Sequence, residues 1–195
     1  MIDFSVDPFV HFERFLSEAT AKKVLEPNAM ALATVDEKGM PSVRIVYFKG
    51  LVRGGFSFYT NYHGHKGRDL AKNPNVCANI FWPELSQQIR ISGAAEKLSR
   101  AESEAYFATR PRLSQIGAWA SDQSDVIPNY DYFKNRLAEM VAKFEGHDVP
   151  CPPHWGGYHI VPTEIEFWFG HSDRLHERYV YERGDSGWKT FMRSP

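Results

Sequence analysis

The feature that most restricts the fold is a regular succession of short segments rich in β-branched and aromatic residues. Turn-forming residues such as Gly39, Gly54 and Pro74 separate them, which is typical of strands joined by short connections. This spacing predicts a mainly antiparallel sheet. The segments cover residues 30–35, 44–49, 56–61, 76–82, 87–93, 158–161, 165–169 and 174–181, with a last short one near Trp188.

Helical patterns accompany these segments. Asp7 and Pro8 combine an N-cap acid with proline at the first helical position, and the helix predicted there ends before Pro27. Ser99 and Glu102 form a capping box that opens another helix. Further helices are predicted from near Lys66 to Asn73, over 112–120 and over 132–144, the last with an apolar stripe expected to pack in the core. The predicted fold class is therefore α+β, mainly β: an antiparallel β-barrel with surrounding helices.

The composition, and the motifs that the sequence lacks, argue against several classes of function. The 195 residues include 43% hydrophobic residues and carry a net charge of −1, which fits one globular domain over residues 1–195 and gives no general attraction to nucleic acid. No apolar run reaches the ~20 residues of a membrane span, and the opening residues do not resemble an export signal. Cys77 and Cys151 form no C-x-x-C pair, so we expect a reduced, cytoplasmic protein. No phosphate loop, dinucleotide turn or metal-ligand spacing is present, so no metal site is predicted.

Cationic side chains in the second predicted strand and at the start of the helix after the third indicate an anion site. Arg44 and Lys49 lie in a strand-like run, and buried cations need an anionic partner. The stretch 63–68, with Lys66, opens a helix whose free N–H groups suit a phosphate. The alternative is that these charges simply reach solvent at the strand ends. Arg44 and Lys49 are five residues apart, so either a bulge reorients one of them or they contact different parts of a ligand.

A second cationic pattern lies near the C-terminus. If residues 174–181 form a strand, Arg174, His176 and Arg178 project from one face, close to Trp168, and form a site for an anion and an aromatic ring. The alternative is a charged edge strand that resists aggregation.

Several of these runs occur in the order seen in one known family. The runs are 44–49, 58–61, R-P-R-L-S-Q-I-G-A-W at 110–119, I-E-F-W at 165–168 and R-L-H-E-R at 174–178. Together they resemble the pyridoxine/pyridoxamine 5′-phosphate oxidase family, over the chain from about Asp7 onward. The resemblance implies an FMN-binding split β-barrel that works as a homodimer with FMN at the subunit interface. Residues 150–195 would complete the barrel and the dimer site.

The resemblance also implies roles for individual residues. Those expected to bind FMN are Arg44, Ile45, Val46, Tyr47, Phe48, Lys49, Tyr59, Thr60, His65, Lys66, Gln88, Gln123, Ser124, Trp168 and Arg178. Those expected to bind the substrate are Lys49, Tyr106, Arg110, Ser114, Arg174, Leu175 and His176. Arg174 and His176 are the candidate catalytic residues. Tyr106 and Arg110, spaced i and i+4 in a predicted helix, would share one face, which agrees with a joint role at the substrate phosphate.

The implied reaction is oxidation of pyridoxine 5′-phosphate or pyridoxamine 5′-phosphate to pyridoxal 5′-phosphate. Dioxygen is the acceptor and hydrogen peroxide a product, with ammonia released from the amine. One alternative is a related flavin oxidase of the phenazine-biosynthesis type, which would share the R-L-H-E-R run. Another is a non-catalytic flavin or pyridoxal-phosphate binding protein. The set Tyr106, Arg110 and Ser114 favours a phosphate-bearing substrate over the phenazine alternative.

Overall fold

A computed structural model describes residues 2–195 of the chain, which fold around one nine-stranded antiparallel sheet. The strand segments predicted from the sequence are present, although several bounds differ. The strands are β1 (Ala29–Val35), β2 (Pro41–Tyr47), β3 (Leu51–Val52), β4 (Gly55–Asn61), β5 (Asn75–Trp82), β6 (Gln87–Lys97), β7 (Trp155–Phe169), β8 (Glu177–Gly184) and β9 (Gly187–Met192).

The sheet divides into two branches along β7. Its strand order is β2-β1-β5-β6-β7-β4-β3, and β8 also pairs with β7 and continues to β9. The first half of β7 pairs with β4 and its second half with β8, while β6 runs beside both halves. The sequence predicted two strands here, at 158–161 and 165–169, and the structure has one continuous strand. The register shifts between Ser92 and Gly93, where a Cβ on Gly93 would lie 2.1 Å from the Val161 carbonyl oxygen, so only glycine fits.

Five helices surround the sheet: α1 (Pro8–Ala21), α2 (His65–Lys72), α3 (Arg100–Ala108), α4 (Arg112–Ala120) and α5 (Tyr130–Lys143). The predicted caps are confirmed, since Asp7 accepts a hydrogen bond from the Phe9 N–H and Ser99 forms a reciprocal capping box with Glu102. Phe12 of α1 packs edge-on against Phe56 at a ring distance of 4.8 Å, and both side chains are fully buried in the main core.

Two local predictions are wrong. Arg174 and His176 lie in the loop before β8, so they do not alternate with Arg178 along a strand. Lys49 follows the end of β2, and Arg110 follows the end of α3, so neither sits inside its predicted element.

The apolar stripe predicted over 132–144 is confirmed in part: Phe144, the C-cap of α5, is buried in a second hydrophobic cluster and Leu137 and Met140 pack against it, although no residue within α5 is itself buried.

One face of the sheet leaves apolar side chains exposed. Val43, Ile45 and Tyr47 alternate outward along β2 with exposures of 68%, 61% and 44%, and Phe81 on β5 is 51% exposed. This concentration of exposed apolar side chains on one face of the sheet is typical of an interface surface. None of the helices in residues 2–195 has the length and apolar character to cross a membrane.

Candidate functional site

A cavity of about 460 Å³ opens between the outer strands β2 and β4 and the helices α3 and α4. Tyr59 and Thr60 come from β4, and Lys66 comes from the first turn of α2. The lining residues are Ile45, Val46, Tyr47, Lys49, Tyr59, Thr60, Lys66, Tyr106, Arg110, Pro111, Ser114, Gln123 and Trp155. Apart from Pro111 and Trp155, all of them are residues that the sequence predicted for the cofactor or substrate site.

Lys66 is the buried cation of this cavity. Its side chain donates hydrogen bonds to Thr60 Oγ1 at 3.0 Å and Gln123 Oε1 at 3.1 Å, and the residue is only 8% exposed. Burial, with the nearby charge of Arg44, lowers the pKa of Lys66 to about 8. No carboxylate is bonded to Lys66 among the described residues, so a bound anion would relieve this unfavourable charge.

The start of α2 adds a second anion-binding feature beside Lys66. Gly64 is the N-cap and provides no side-chain hydrogen bond, so it caps none of the free N–H groups of the first turn. A Cβ at Gly64 would lie 2.8 Å from Gln123 Oε1, so a side chain there would displace a residue that holds Lys66. Glycine at this position therefore preserves the cavity wall.

Aromatic rings form another part of the cavity wall and pack against a second cation, Arg110. The rings of Tyr59 and Tyr106 stack at 3.8 Å, and Trp155 lies parallel to Tyr59 at 5.5 Å. The guanidinium of Arg110 sits 4.6 Å from the Trp155 ring centroid, and its buried Nη1 has no hydrogen-bond partner within residues 2–195. Burial lowers the pKa of Arg110, but a guanidinium stays protonated at neutral pH. An unpaired buried donor in a cavity wall indicates a missing acceptor.

A smaller cavity of about 280 Å³ adjoins the first and shares Arg110, Ser114, Gln123 and Trp155 with it. Ser114 lies in the first turn of α4, and Pro111, the N-cap of that helix, has no side-chain cap bond. Arg110 and Ser114 therefore face both cavities beside a helix N-terminus. This arrangement suits a second anionic group, separate from the one at Lys66.

Arg44 and His65 do not line the cavity and instead share a buried carboxylate. Asp69 of α2 lies 3.8 Å from Arg44 and 3.6 Å from His65, and it accepts a hydrogen bond from Thr34 at 2.6 Å. The anionic partner that the sequence demanded for Arg44 is thus supplied by the protein. Phe48, also predicted to bind FMN, is buried in the main core.

A second group of predicted residues lies on the other branch of the sheet. Gln88 on β6, Trp168 on β7 and Arg178 on β8 occupy one cross-strand row, and the ring of His176 lies 4.7 Å from that of Trp168. The sequence prediction that His176 and Trp168 are close is confirmed. None of these residues lines the cavity.

Arg178 in this row is tied to a fully buried carboxylate. Glu166, 1% exposed, accepts hydrogen bonds from Arg178 at 2.8 Å and from the tail residue Arg193 at 2.9 Å, and Arg90 lies 3.5 Å away. Arg178 also donates to the Ser194 carbonyl oxygen at 3.0 Å. This network fixes the Arg178 side chain and the C-terminal tail in one arrangement.

The loop from 170 to 176 carries the candidate catalytic residues. Arg174 has a φ of +60°, a left-handed conformation that is uncommon for a non-glycine residue. Leu175 is 71% exposed, and the Nδ1 atom of His176 accepts a hydrogen bond from the His171 amide at 3.1 Å. Ser124, also with positive φ, follows Gln123 but does not line the cavity.

The cavity and the second group are well separated within one chain. The cavity residue Trp155 begins β7, and Trp168 lies thirteen residues farther along the same strand, at most about 43 Å away at ~3.3 Å per residue. The outward row of β2 and the row with Trp168 nevertheless belong to the same face, because paired residues share a side.

Comparison with known proteins agrees with this geometry. Residues 16–143 match the sequence model of the family described as pyridoxamine 5′-phosphate oxidase, and residues 155–195 match the pyridoxine 5′-phosphate oxidase C-terminal dimerisation region. A pyridoxine/pyridoxamine 5′-phosphate oxidase of Bdellovibrio bacteriovorus is 61% identical over the full length of both chains. One from Nostoc punctiforme is 46% identical, over 100% of this chain and 91% of its own.

The chain belongs to the pyridoxamine 5′-phosphate oxidase family. The resemblance drawn from its motifs is thereby confirmed.

Solved structures of this fold superpose on the chain over nearly its whole length. PhzG from Burkholderia lata 383, solved in complex with tetrahydrophenazine-1-carboxylic acid, superposes with a TM-score of 0.92 at 35% identity and covers 97% of this chain and 93% of its own. A pyridoxamine 5′-phosphate oxidase-related, FMN-binding protein from Nostoc punctiforme has a TM-score of 0.79 at 14% identity, with 99% and 100% coverage. The predicted fold class, an α+β split-barrel architecture, is confirmed, although the sheet is not closed.

Sequence reasoning missed several residues that shape this family's site in the present chain. Trp155 supports both Tyr59 and Arg110, and only its position after the proline-rich connector could have drawn attention to it. Asp69 and Glu166, the buried partners of Arg44 and Arg178, gave no local signal, because each pairs with a residue distant in the sequence.

Proposed function

We propose that this protein oxidises pyridoxine 5′-phosphate or pyridoxamine 5′-phosphate to pyridoxal 5′-phosphate, with FMN as cofactor and dioxygen as acceptor. The observation that carries the proposal is the presence of two separate anion-binding points in one cavity. Lys66 at the start of α2 is one, and Arg110 with Ser114 at the start of α4 is the other. A flavin mononucleotide and a phosphorylated B6 vitamer together present two phosphates.

The residues present fit FMN. Lys66 is a buried cation without a bonded carboxylate, and the first turn of α2 has no side-chain cap at Gly64. We assign the FMN phosphate to this point, with Thr60 and Gln123 holding the Lys66 amine in place. When bound, FMN would supply the acceptor for the hydride lost from the substrate C4′ atom, with dioxygen as the final electron acceptor and hydrogen peroxide as the product.

The residues at the second point fit the substrate. Arg110 stacks on Trp155 with its Nη1 unpaired, so a phosphate oxygen would complete its hydrogen bonding. Tyr106 and Ser114 line the same wall and offer hydroxyl groups. This division gives the chain's own residues the task of aligning the substrate's C4′ atom with the flavin.

We further propose that the site is completed across a homodimer. Trp168 lies thirteen residues along β7 from the cavity residue Trp155, and no residue of its group lines the cavity, so one chain does not bring both together. The exposed apolar face of β2 continues across the sheet to the Trp168 row, and the C-terminal part of the chain matches a dimerisation region. In such a dimer, Gln88, Trp168, Arg174, His176 and Arg178 of one protomer would complete the partner's cavity.

The decisive experiment is a visible spectrum of the purified protein, followed by addition of pyridoxamine 5′-phosphate in air. A yellow protein that produces equimolar peroxide and aldehyde is the expected outcome. A yellow protein that produces no peroxide would favour a non-catalytic flavin-binding protein. A colourless protein that does not take up added FMN would contradict the proposal.

The phenazine-type alternative rests on the 35% identity and the close superposition with PhzG. Comparing turnover of pyridoxamine 5′-phosphate with that of unphosphorylated pyridoxamine separates the two readings. A strong preference for the phosphorylated substrate, lost when Arg110 is replaced, supports the B6 assignment.

A further inference from the structure

The loop between β7 and β8 is held closed by its own side chains. His171 stands at its start and Glu177 at the first position of β8, and His171 Nε2 lies 2.9 Å from Glu177 Oε1. Glu177 Oε2 accepts a hydrogen bond from the Tyr179 hydroxyl, and the bonds from Tyr179 and His171 lower the pKa of the Glu177 carboxyl. The Gly170 amide donates to the Ser86 carbonyl oxygen at 2.8 Å. Both ends of the loop are therefore anchored.

This closed loop sets the hydrogen-bonding state of His176. The His171 backbone N–H donates to His176 Nδ1 at 3.1 Å. A backbone amide can only donate, so Nδ1 must present a lone pair and the neutral ring carries its proton on Nε2. The Trp168 ring, 4.7 Å away, packs against the same imidazole.

We infer that His171 is a positioning residue that makes His176 a hydrogen-bond donor through Nε2–H. The hydrogen bond between the His171 side chain and Glu177 spans the loop. It holds the His171 backbone N–H in place against His176 Nδ1. The inference rests on the proposed function for its substrate: the Nε2–H group would donate to an oxygen or nitrogen lone pair on the substrate ring.

The same geometry removes His176 as the group that accepts the proton lost from the substrate. To take a proton at Nε2, the neutral ring would need its existing proton on Nδ1, where it would meet the His171 N–H. Arg174 is a guanidinium and has no lone pair to offer. The two residues of the loop therefore orient and polarise the substrate, and neither acts as the general base.

The tautomer can be measured directly by NMR on the FMN-loaded protein. Long-range ¹H–¹⁵N correlation distinguishes Nε2–H from Nδ1–H rings, and loss of one signal set in His176→Gln assigns the residue among the eight histidines. We expect the Nε2–H pattern near neutral pH. An Nδ1–H pattern, or an equal mixture, in the unmodified protein would overturn the inference.

Variants of His171 test whether its hydrogen bond to Glu177 positions His176. His171→Ala is expected to leave His176 as a mixture of tautomers, whereas His171→Gln, which can still donate to Glu177, retains the Nε2–H form. His147→Ala, at an exposed histidine outside this loop, serves as the matched control and should change nothing. A His176 tautomer that is unchanged in a folded His171→Ala protein would show that the His171–Glu177 hydrogen bond does not position His176.

The turnover of two His176 variants distinguishes a hydrogen-bond donor from a general base at this position. A glutamine amide reaches the position of imidazole Nε2–H, while an asparagine amide reaches only that of Nδ1. A donor role predicts a kcat about tenfold higher for His176→Gln than for His176→Asn, the value of one hydrogen bond. A base role predicts similar losses of about 10²–10⁴-fold in both. If the protein shows no oxidase turnover at all, the proposed function fails, and the NMR measurement still decides the tautomer.

Discussion

Lys66 offers the sharpest prediction, because its charge has opposite effects on folding and on cofactor binding. The folded protein without FMN holds Lys66 at a pKa of about 8, against the usual 10.5. Above pH 8 the amine loses its proton, while the FMN phosphate stays a dianion because its second pKa is about 6. If only the protonated amine binds the phosphate, FMN affinity falls about tenfold between pH 7 and pH 9.

The stability of the FMN-free protein should move the other way. In the unfolded chain Lys66 keeps its proton up to about pH 10.5, so between pH 8 and 10.5 the unfolded state binds more protons than the folded state. Deprotonation then favours folding, and Lys66 alone adds roughly 1 kcal/mol to the free energy of unfolding between pH 7 and pH 9. Lys66 is 8% exposed, so solvent screens this effect little.

Two titrations test the pair of trends. FMN affinity is measured by quenching of flavin fluorescence, and unfolding by urea, each at pH 7, 8 and 9. Lys66→Met should bind FMN about 10- to 150-fold more weakly at pH 7, the value of a charge-assisted hydrogen bond, and should lose both pH trends. Lys72→Met, at an exposed lysine of the same helix, should retain them. If the unmodified protein binds FMN equally well at pH 7 and pH 9, Lys66 is not the phosphate ligand.

Four further outcomes are expected. Arg174→Leu should sharply reduce turnover while FMN stays bound, because the residues assigned to the FMN phosphate, Lys66, Thr60 and Gln123, are unchanged; unchanged turnover would remove Arg174 from the site. Arg110→Lys should raise KM for the phosphorylated substrate about 10- to 150-fold, since lysine lacks the planar fork, and an unchanged KM would place the substrate phosphate elsewhere. Glu166→Ala should lower the urea unfolding free energy by about 3 kcal/mol by leaving its arginines uncompensated, against about 1 kcal/mol for the more exposed Glu164→Ala; equal losses would contradict the buried network. Gly93→Ala should destabilise by at least 1 kcal/mol, because backbone atoms occupy the Cβ position, and a neutral effect in the same assay would refute that.

Local signals in the sequence predicted most of the elements. The Ser99 and Glu102 capping box and the Asp7-Pro8 pair fixed helix starts, because both act through hydrogen bonds within a few residues. The helix at Arg112–Ala120 was predicted with the correct bounds, since Pro111 sets where it begins. Alternating apolar residues located the strands, although they did not show that 158–161 and 165–169 form one strand.

Features that depend on distant partners escaped prediction. The run from Arg174 to Arg178 alternates like a strand, yet turn contacts within 170–176 and the positive φ of Arg174 make its first part a loop. Arg44 appeared to require a ligand anion, but Asp69 is brought to it by packing of α2 against β1 and β2. The division of the site residues into two groups depends on strand order, which residue patterns do not encode.

The length of strand β7 separates two groups of site residues. Trp155 at its first position lies under the cavity of its own protomer, and Trp168, thirteen residues on, belongs to the group proposed to serve the partner's cavity. At ~3.3 Å per residue these two tryptophans are at most about 43 Å apart, so in the proposed dimer the length of β7 sets the spacing between the two flavin sites. A one-residue insertion in its second half would turn Trp168 to the opposite side of the sheet, so this strand should accept substitutions far more readily than changes in length.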